Sequence, residues 1–182
     1  MSIVITGNPG VGKHTITQEI AERLKLHVID INTIAKDSGL FEEKYETNDI
    51  DVERLEKILK QKISQKNVIV GHLAPYVLRK NQVKIMIVLR RSPYDLISVY
   101  KDRKYSDKKI RENIGSEILG IITHDAINRF QEKVFQINVS EKSISEVVEN
   151  VMSVIIKNNG NEEVDWLELI RKNNDLGKFF VD

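Results

Sequence analysis

The clearest chemical signal near the start of the chain is a glycine-rich segment with one lysine, GNPGVGKHT at residues 7–15. A short apolar run at 3–5 precedes it, and Ile16, Ile20 and Leu24 follow it at helical spacing. A strand, a glycine loop and a helix in this order are the context of a phosphate-binding P-loop. Glycines let successive N–H groups point at an anion, and a helix N-terminus adds further donors. The segment therefore predicts a nucleotide phosphate site, with Lys13 adding a positive charge.

One position departs from this motif. The residue after the lysine is ordinarily Ser or Thr, whose hydroxyl binds Mg²⁺, but here it is His14, and a hydroxyl first occurs at Thr15. Mg²⁺ prefers oxygen ligands, so an imidazole is a poor substitute. The alternative is an ordinary glycine-rich turn that happens to contain a lysine. The matched glycines, the lysine, the strand and the helix together favour the P-loop.

Composition restricts the class of protein. The chain has 182 residues, a net charge of +1 and 41% apolar residues, which predicts one globular domain and does not indicate a nucleic-acid or membrane binder. With no cysteine, disulfides and thiolate zinc sites are excluded. No apolar run approaches the ~20 residues that span a bilayer, and the sequence opens on a strand. We expect a soluble, cytoplasmic protein without a membrane partner.

Short apolar runs alternate with helical patterns along the chain, which predicts an α/β fold with a parallel sheet and helices on both faces. Strands are predicted at about 2–6, 27–30, 67–70, 84–89 and 134–139. Helices are predicted from the P-loop to about 25, at 32–38 and 51–65, after Pro93, from Ser106 through Ile122, after the capping box of Ser143 and Glu146, and at 163–172. Residues 41–48 are expected to form a mobile loop, and the tail to Asp182 to be loosely held.

A basic segment at 101–111 follows the fourth predicted strand. Phosphoryl transfer relies on positioning and on cations over the transferring group. Arg90, Arg103 and Lys104 are placed in the sequence to supply such cations. The alternative for this segment is an exposed helix and loop with solvated charges. Behind a P-loop, a lid that closes over the nucleotide is the favoured interpretation.

Four stretches carry a more specific resemblance: GNPGVGKHT at 7–15, NVIVGH at 67–72, IVLRRSP at 87–93 and DRKYSDKKIRENIGSEI at 102–118. Together with VDWLEL at 164–169, they resemble the small adenylate kinase family, which includes the human nuclear adenylate kinase, the yeast ribosome-assembly ATPase and archaeal members. The resemblance covers nearly the whole chain. It implies a single nucleoside monophosphate kinase-like P-loop domain over 1–182 with sheet order 2-3-1-4-5. It also implies an acceptor-nucleotide region at about 30–53, a lid at about 102–112 and a terminal helix at about 163–172.

The same resemblance implies residue roles. The expected ATP phosphate ligands, largely through backbone N–H groups, are Gly10, Gly12, Lys13, His14 and Thr15. Arg103 is the implied lid arginine, and His72 matches a family histidine after the third strand, so the implied catalytic set is Lys13, Arg103 and His72. On the AMP side, the resemblance implies Asp30 and Lys36.

The implied reaction is transfer of the ATP γ-phosphoryl group to AMP, with ATPase activity beside it. The implied partners are a platform protein of the small ribosomal subunit and, indirectly, its RNA. Four positions depart from the family pattern: His14 for a hydroxyl residue, Val70 for an acidic residue, Lys36 for an arginine and Lys104 for the lid glycine. No side chain is expected to bind metal, so Mg²⁺ would be held by ATP and water. Two other hypotheses stay open, an ATP-binding assembly chaperone with little turnover and a kinase for another small acceptor.

Overall fold

The computed structural model describes residues 1–40, 51–64 and 66–180. Within these ranges the chain forms one five-stranded parallel sheet of order β2-β3-β1-β4-β5. The strands are β1 (Ser2–Thr6), β2 (His27–Asp30), β3 (Asn67–Val70), β4 (Val83–Arg90) and β5 (Val134–Asn138). The predicted fold class and strand order are confirmed. The first and last residues of each predicted strand lie within one residue of those of the observed strand. The agreement is close because these apolar runs are short and bounded by polar or glycine residues.

Helices connect the strands and cover both faces of the sheet. In the described ranges they are α1 (Lys13–Leu24), α2 (Ile31–Asp37), α3 (Val52–Lys62), α4 (Ala74–Val77), α5 (Pro93–Asp102), α6 (Asp107–Ile118), α7 (Ile121–Phe130), α8 (Ile144–Lys157), α9 (Trp166–Lys172) and α10 (Leu176–Phe180). A 3-10 turn, Gln131–Lys133, leads into β5. None of the helices in these ranges is both long and apolar enough to cross a bilayer.

The two central strands divide the core into two apolar layers. Ile5, Ile87 and Leu89 face one layer, which α1, α5, α6 and α8 complete. Val4, Met86 and Val88 face the other layer, which includes residues of α3 and α7. Because both faces of a parallel sheet are covered, its central strands are continuously apolar rather than alternating. The burial of β1 and β4 holds the carboxyl end of β1, where the P-loop begins, in a rigid setting.

Two sequence predictions were wrong in detail. The helix predicted from Ser106 through Ile122 is two helices, because Gly120 adopts a φ of 62° and interrupts the chain between α6 and α7. The tail was predicted to be loosely held, but up to residue 180 it is helical and packs on the rest of the chain. There α10 follows α9, and the Tyr94 hydroxyl donates to Asp175 at 2.7 Å while the Tyr94 ring meets Phe179 edge to face. The predicted loop at 41–48 lies outside the described residues.

The caps expected from the sequence are confirmed. The side chain of Ser106 accepts from the N–H of Lys109 at the start of α6. Ser143 and Glu146 form a reciprocal capping box at the start of α8. Such caps satisfy N–H groups that have no partner inside the helix. The cap at Ser106 fixes where α6 begins, which in turn positions the face of α6 that meets the P-loop.

Candidate active site

The P-loop connects β1 to α1 and packs closely against β4 and α5. A Cβ at Gly7 would collide with the carbonyl oxygen of Leu89, and the φ of Gly7 is 137°. A Cβ at Gly10 would lie 3.1 Å from the Tyr100 ring, at a φ of 85°. Side chains at either position would have to displace the loop or its neighbours, so the glycines here are structural requirements. The geometry supports the P-loop over an ordinary glycine-rich turn.

Three successive carbonyl groups of the loop are held by side chains. The Lys13 ammonium donates to the carbonyl of Asn8 at 3.2 Å, and the Tyr100 hydroxyl donates to that of Pro9 at 2.6 Å. Arg91 donates to the carbonyl of Gly10 at 3.2 Å. Backbone carbonyls that are fixed in this way cannot turn toward a bound anion. The arrangement therefore leaves the phosphate position to N–H donors.

Lys13 is an ionisable residue in a buried position, which is unusual for a lysine. Its side chain is 5% exposed, and burial together with the charge of Arg103 lowers the pKa of Lys13 from 10.5 to about 8, against the opposing effect of Asp30. A buried ammonium is stabilised by opposite charge. A polyphosphate next to Lys13 would supply that charge, which is a physical reason to place the nucleotide phosphates here.

Two cavities meet at the P-loop. The larger has a volume of about 530 Å³ and contains the predicted residues Gly10, Gly12, Lys13, His14, Thr15, His72 and Arg103 in its lining. The smaller, of about 280 Å³, lies on the side of Val11, Arg91 and Val139 and shares Gly12 and Thr15 with the larger one. The structure thus brings together the predicted phosphate ligands, Arg103, which is the predicted lid arginine, and His72. It also offers a separate space on each side of them.

His72 follows β3 through Gly71 and lines the larger cavity. Burial, with the charge of Lys13, lowers the pKa of His72 from 6.5 to about 4. The imidazole is therefore neutral at physiological pH and acts as a hydrogen-bonding group rather than a cation.

His14 is turned toward Asp30, one of the two predicted AMP-side residues. Its Nε2 lies 2.9 Å from Oδ2 of Asp30, and the two side chains are 54% and 25% exposed. Burial alone would raise the pKa of Asp30, but hydrogen bonds from His14 and from the N–H groups of Thr33 and Asn32 lower it. Asp30 also caps α2 through those two N–H groups. Lys36, the other predicted AMP-side residue, is exposed on α2, and the described lining of the larger cavity does not include it.

Of the three predicted cations, Arg90, Arg103 and Lys104, the prediction for Arg90 was wrong. Arg90 is 3% exposed and its guanidinium is already committed, to Glu117 at 2.8 Å and to Gln136 at 2.8 Å. It cannot reach a transferring phosphoryl group, because leaving would break a buried ion pair. Arg103, another of the predicted cations, lines the larger cavity. Lys104 is exposed and adopts a φ of 56°, a left-handed conformation that favours glycine, which is the residue that the resemblance implies there.

The side chains near the P-loop fit a polyphosphate better than a directly bound Mg²⁺. Val70 is 1% exposed in β3, so no carboxylate stands at this strand end, and the His14 imidazole is paired with Asp30. The described residues contain no group of three His, Asp or Glu side chains suited to a metal ion.

Sequence reasoning missed several residues of the site. Tyr105, Lys109 and Asn113 line the larger cavity, and Lys109 lies 4.3 Å from the centre of the Tyr105 ring. Asn8 and Glu117 are joined at 2.7 Å beneath the loop. The spacing of Asn113 and Glu117, one helical turn apart in α6, is the signal that could have found them. Trp166, which begins α9 in the predicted terminal helix, is 7% exposed.

A parallel sheet of order 2-3-1-4-5 with a glycine phosphate loop after its central strand defines a P-loop kinase fold. A family model described as "AAA domain" matches residues 3–120. A Thermococcus onnurineus protein named "Putative adenylate kinase" is 31% identical over 173 residues, covering 92% of each chain. A Methanosarcina barkeri protein of the same name is 33% identical over 187 residues, covering 93% of this chain and 100% of the other. The chain belongs to this small adenylate kinase family.

Solved structures agree on the fold. Shikimate kinase from Acinetobacter baumannii, solved in complex with shikimate, superposes with a TM-score of 0.61 at 18% identity and covers 87% of this chain and 94% of its own. Shikimate kinase from Bacteroides thetaiotaomicron gives a TM-score of 0.59, also at 18% identity, covering 85% and 98%. At this identity the likeness is one of fold. The family and the fold together make this chain a P-loop nucleotide kinase.

Proposed function

We propose that this protein transfers the γ-phosphoryl group of ATP to AMP, giving two ADP, with hydrolysis of ATP as a slower side activity. The observation that carries the proposal is the meeting of two cavities at the P-loop, around a buried lysine with a lowered pKa. A donor nucleotide whose base enters the smaller cavity would bring its phosphates to Lys13. The larger cavity then leaves room for a second nucleotide. Two substrates would thus approach one phosphate position from opposite sides.

Each residue of the site has a role in this reaction. The N–H groups of Gly10, Gly12 and His14 bind the phosphates of ATP. Lys13 and Arg103 place positive charge on the transferring group, where phosphoryl transfer most needs it. His72, being neutral, orients an oxygen of the acceptor or an attacking water by a hydrogen bond. Closure of the segment at about 102–112, which carries Arg103, would exclude water and favour transfer over hydrolysis.

Mg²⁺ supplies further charge neutralisation when it accompanies ATP, and it commonly keeps several of its waters. Thr15 offers the remaining hydroxyl of the P-loop, and Asp30 offers a carboxylate, although His14 is hydrogen-bonded to it. The chain therefore binds the nucleotide chiefly through N–H donors and Lys13, and the metal through phosphates and water.

AMP would be recognised by the region at about 30–53, of which residues 41–50 lie outside the described residues. Asp30 and Lys36 are the AMP-side residues in this proposal. Lys36 offers a point charge and lacks the planar double contact that an arginine makes with phosphate. Acceptor binding would consequently be weaker than in relatives with arginine there.

The test is the rate of ADP and phosphate formation from ATP, measured with and without AMP, with and without Mg²⁺, and with CMP, GMP and UMP as alternative acceptors. Lys13→Ala provides the blank. Stimulation of ADP formation by AMP above the other acceptors supports the proposal. Preference for another monophosphate would identify a kinase for that acceptor. If neither ADP nor phosphate exceeds the blank, the enzymatic proposal is wrong.

The second candidate is an ATP-binding module for small-subunit ribosome assembly with little turnover. It is favoured by the two departures from the family pattern that affect Mg²⁺ binding. His14 replaces the hydroxyl residue and is paired with Asp30, and the buried Val70 replaces the acidic residue. Its partners would be the platform ribosomal protein of the small subunit and, indirectly, ribosomal RNA, in the cytoplasm. A slow wild type that gains a large rate from His14→Ser with Val70→Asp supports this candidate, whereas a fast wild type contradicts it. Binding of the platform protein that depends on ATP tests the partner directly.

A further inference from the structure

A fully buried carboxylate lies beneath the P-loop. Glu117, on α6, has a side chain that is 0% exposed, and its two oxygens accept four hydrogen bonds from three separate parts of the chain. Oε1 accepts from Nε of Arg90 at 2.8 Å, from the N–H of Arg91 at 3.1 Å and from the indole N–H of Trp166 at 2.9 Å. Oε2 accepts from the side-chain amide of Asn8 at 2.7 Å.

The contact with Asn8 reaches the P-loop itself. Because a carboxylate only accepts, the Asn8 amide must present its NH₂ to Glu117 and its oxygen to the neighbouring hydroxyl. That hydroxyl belongs to Ser116, which donates to Oδ1 of Asn8 at 3.1 Å. The side chain of Asn8 is thereby fixed at both ends. Its carbonyl, one residue before Pro9, is the group that Lys13 contacts.

The contact with Trp166 reaches the terminal helix. Trp166 is the first residue of α9 and is 7% exposed, so its indole N–H has little access to water and depends on Glu117 for a partner. The ion pair with Glu117 alone would be enough to neutralise the charge of Arg90. The added bonds to Asn8 and Trp166 make Glu117 a shared partner of the P-loop and of α9, which do not follow one another in the sequence.

We infer that Glu117 is a positioning residue that couples the docking of α9 to the conformation of the P-loop, so that loss of the Trp166 hydrogen bond weakens ATP binding from a distance. The inference rests on ATP as the ligand proposed above. Coupling is reciprocal, so a nucleotide in the P-loop also stabilises the docked α9. A partner that binds α9 would then be sensitive to whether ATP is bound.

The test compares two substitutions on α9. Trp166→Phe keeps an aromatic ring and removes the indole N–H. Ile170→Val removes one methylene from a residue that is 0% exposed in the apolar core and whose side chain has no polar atom to bond to Glu117, so it serves as the control for a loosened helix. ATP dissociation constants are measured by calorimetric titration at a temperature where thermal unfolding shows all variants folded. We expect Trp166→Phe to weaken ATP binding about five-fold or more, the lower end of ordinary coupling. Ile170→Val should change it by less than about two-fold.

A double-mutant cycle separates positioning from a general loss of stability. Asn8→Ala removes the link at the P-loop end, and Trp166→Phe removes it at the other end. If both act through Glu117, the double variant is weaker than the wild type by less than the product of the two single effects. The cycle of Asn8→Ala with Ile170→Val should be multiplicative. Added Mg²⁺ should not restore the ATP affinity of Asn8→Ala or of Trp166→Phe, because the defect lies in the conformation of the P-loop.

The outcomes are distinguishable. If the wild type binds ATP and Trp166→Phe binds it equally well, the inference is overturned and the proposed function stands. If the two double-mutant cycles are both multiplicative, the coupling is absent and the inference is likewise overturned. If the wild type itself does not bind ATP, the proposed function fails and the inference fails with it.

Discussion

The two sides of the P-loop are built differently. Beneath it lies what we call the P-loop floor, formed by Asn8, Arg90, Tyr100 and Glu117, in which every one of these side chains makes a hydrogen bond and Arg90 and Glu117 are almost fully buried. Above it lies the site mouth, formed by His14, Asp30, Arg103 and Lys109, whose side chains are exposed or half-buried.

This difference separates a rigid part of the site, the floor, from a more exposed part, the mouth. The floor holds the loop in one conformation, so its N–H donors need no rearrangement when phosphates bind, which is the condition for strong electrostatic stabilisation. The mouth holds charges that are exposed or half-buried, which suits the proposed lid and acceptor region. Changes in the floor should therefore act on the fold and on ATP affinity, and changes in the mouth on metal use and turnover.

The largest effect is expected from Glu117→Ala in the floor. It leaves the Arg90 guanidinium buried without its carboxylate, which should lower the free energy of unfolding by about 3–5 kcal/mol. His14→Ala in the mouth removes an exposed pair and should cost about 1 kcal/mol or less. Denaturant titration of both variants measures the contrast. Equal destabilisation by the two substitutions would show that floor and mouth do not differ as described.

Lys13→Ala should separate function from stability. We expect a loss of turnover of about 100- to 1,000-fold, as for removal of one fixed charge or donor from a reacting group. The free energy of unfolding should stay unchanged or rise, because the substitution removes a buried ammonium whose pKa is lowered. Lys60→Ala, on the exposed surface of α3, is the control. Loss of activity that is matched by loss of the fold would contradict this role.

The pH dependence of ATP affinity should follow Lys13. Its pKa of about 8 in the free protein means that the ammonium loses its proton as the pH rises through 8. ATP affinity should then fall by up to about ten-fold per pH unit above that value. The free energy of unfolding should change in the opposite direction, rising between pH 8 and 10.5, because the unfolded chain binds this proton more tightly than the folded one.

Lys13→Arg is the matched variant for this titration. An arginine stays charged over the whole range, so ATP affinity should lose its dependence on pH above 8. A wild type whose ATP affinity is flat between pH 7 and 9.5 would contradict a phosphate contact by a Lys13 whose pKa is lowered to about 8.

The smallest effect is expected from His14→Ser in the mouth. It supplies the hydroxyl that P-loops use for Mg²⁺ and frees Asp30 from its bond to His14. The Mg²⁺-dependent rate should rise by about ten-fold or less, which corresponds to a barrier change of about 1.4 kcal/mol or less. Thr15→Ala serves as the comparison, since it removes the neighbouring hydroxyl. A rate that falls in His14→Ser would indicate that the imidazole itself takes part in the reaction.

Much of this molecule is predictable from its sequence because the signals are local. The P-loop, the strands and the caps at Ser106 and Ser143 each depend on residues a few positions apart. The split at Gly120 was missed because Ile118 and Ile122 keep helical spacing across it. The P-loop floor was missed because Glu117 is joined to Asn8 and Arg90, which are far from it in the sequence, and polar pairing over such distances leaves no periodic pattern. The same holds for the bond between Trp166 and Glu117. Arg90 was misjudged for the same reason, since its buried partner could not be read from its position.

In the proposed reaction, a phosphoryl group held at the P-loop passes from ATP to AMP. The most direct measurement follows the label of [γ-³²P]ATP mixed with unlabelled AMP and Mg²⁺ during the first turnovers. We expect labelled ADP, formed in proportion to AMP occupancy and absent in Lys13→Ala, with labelled inorganic phosphate as the minor product. Label that appears only in inorganic phosphate, at a rate indifferent to AMP, would contradict it.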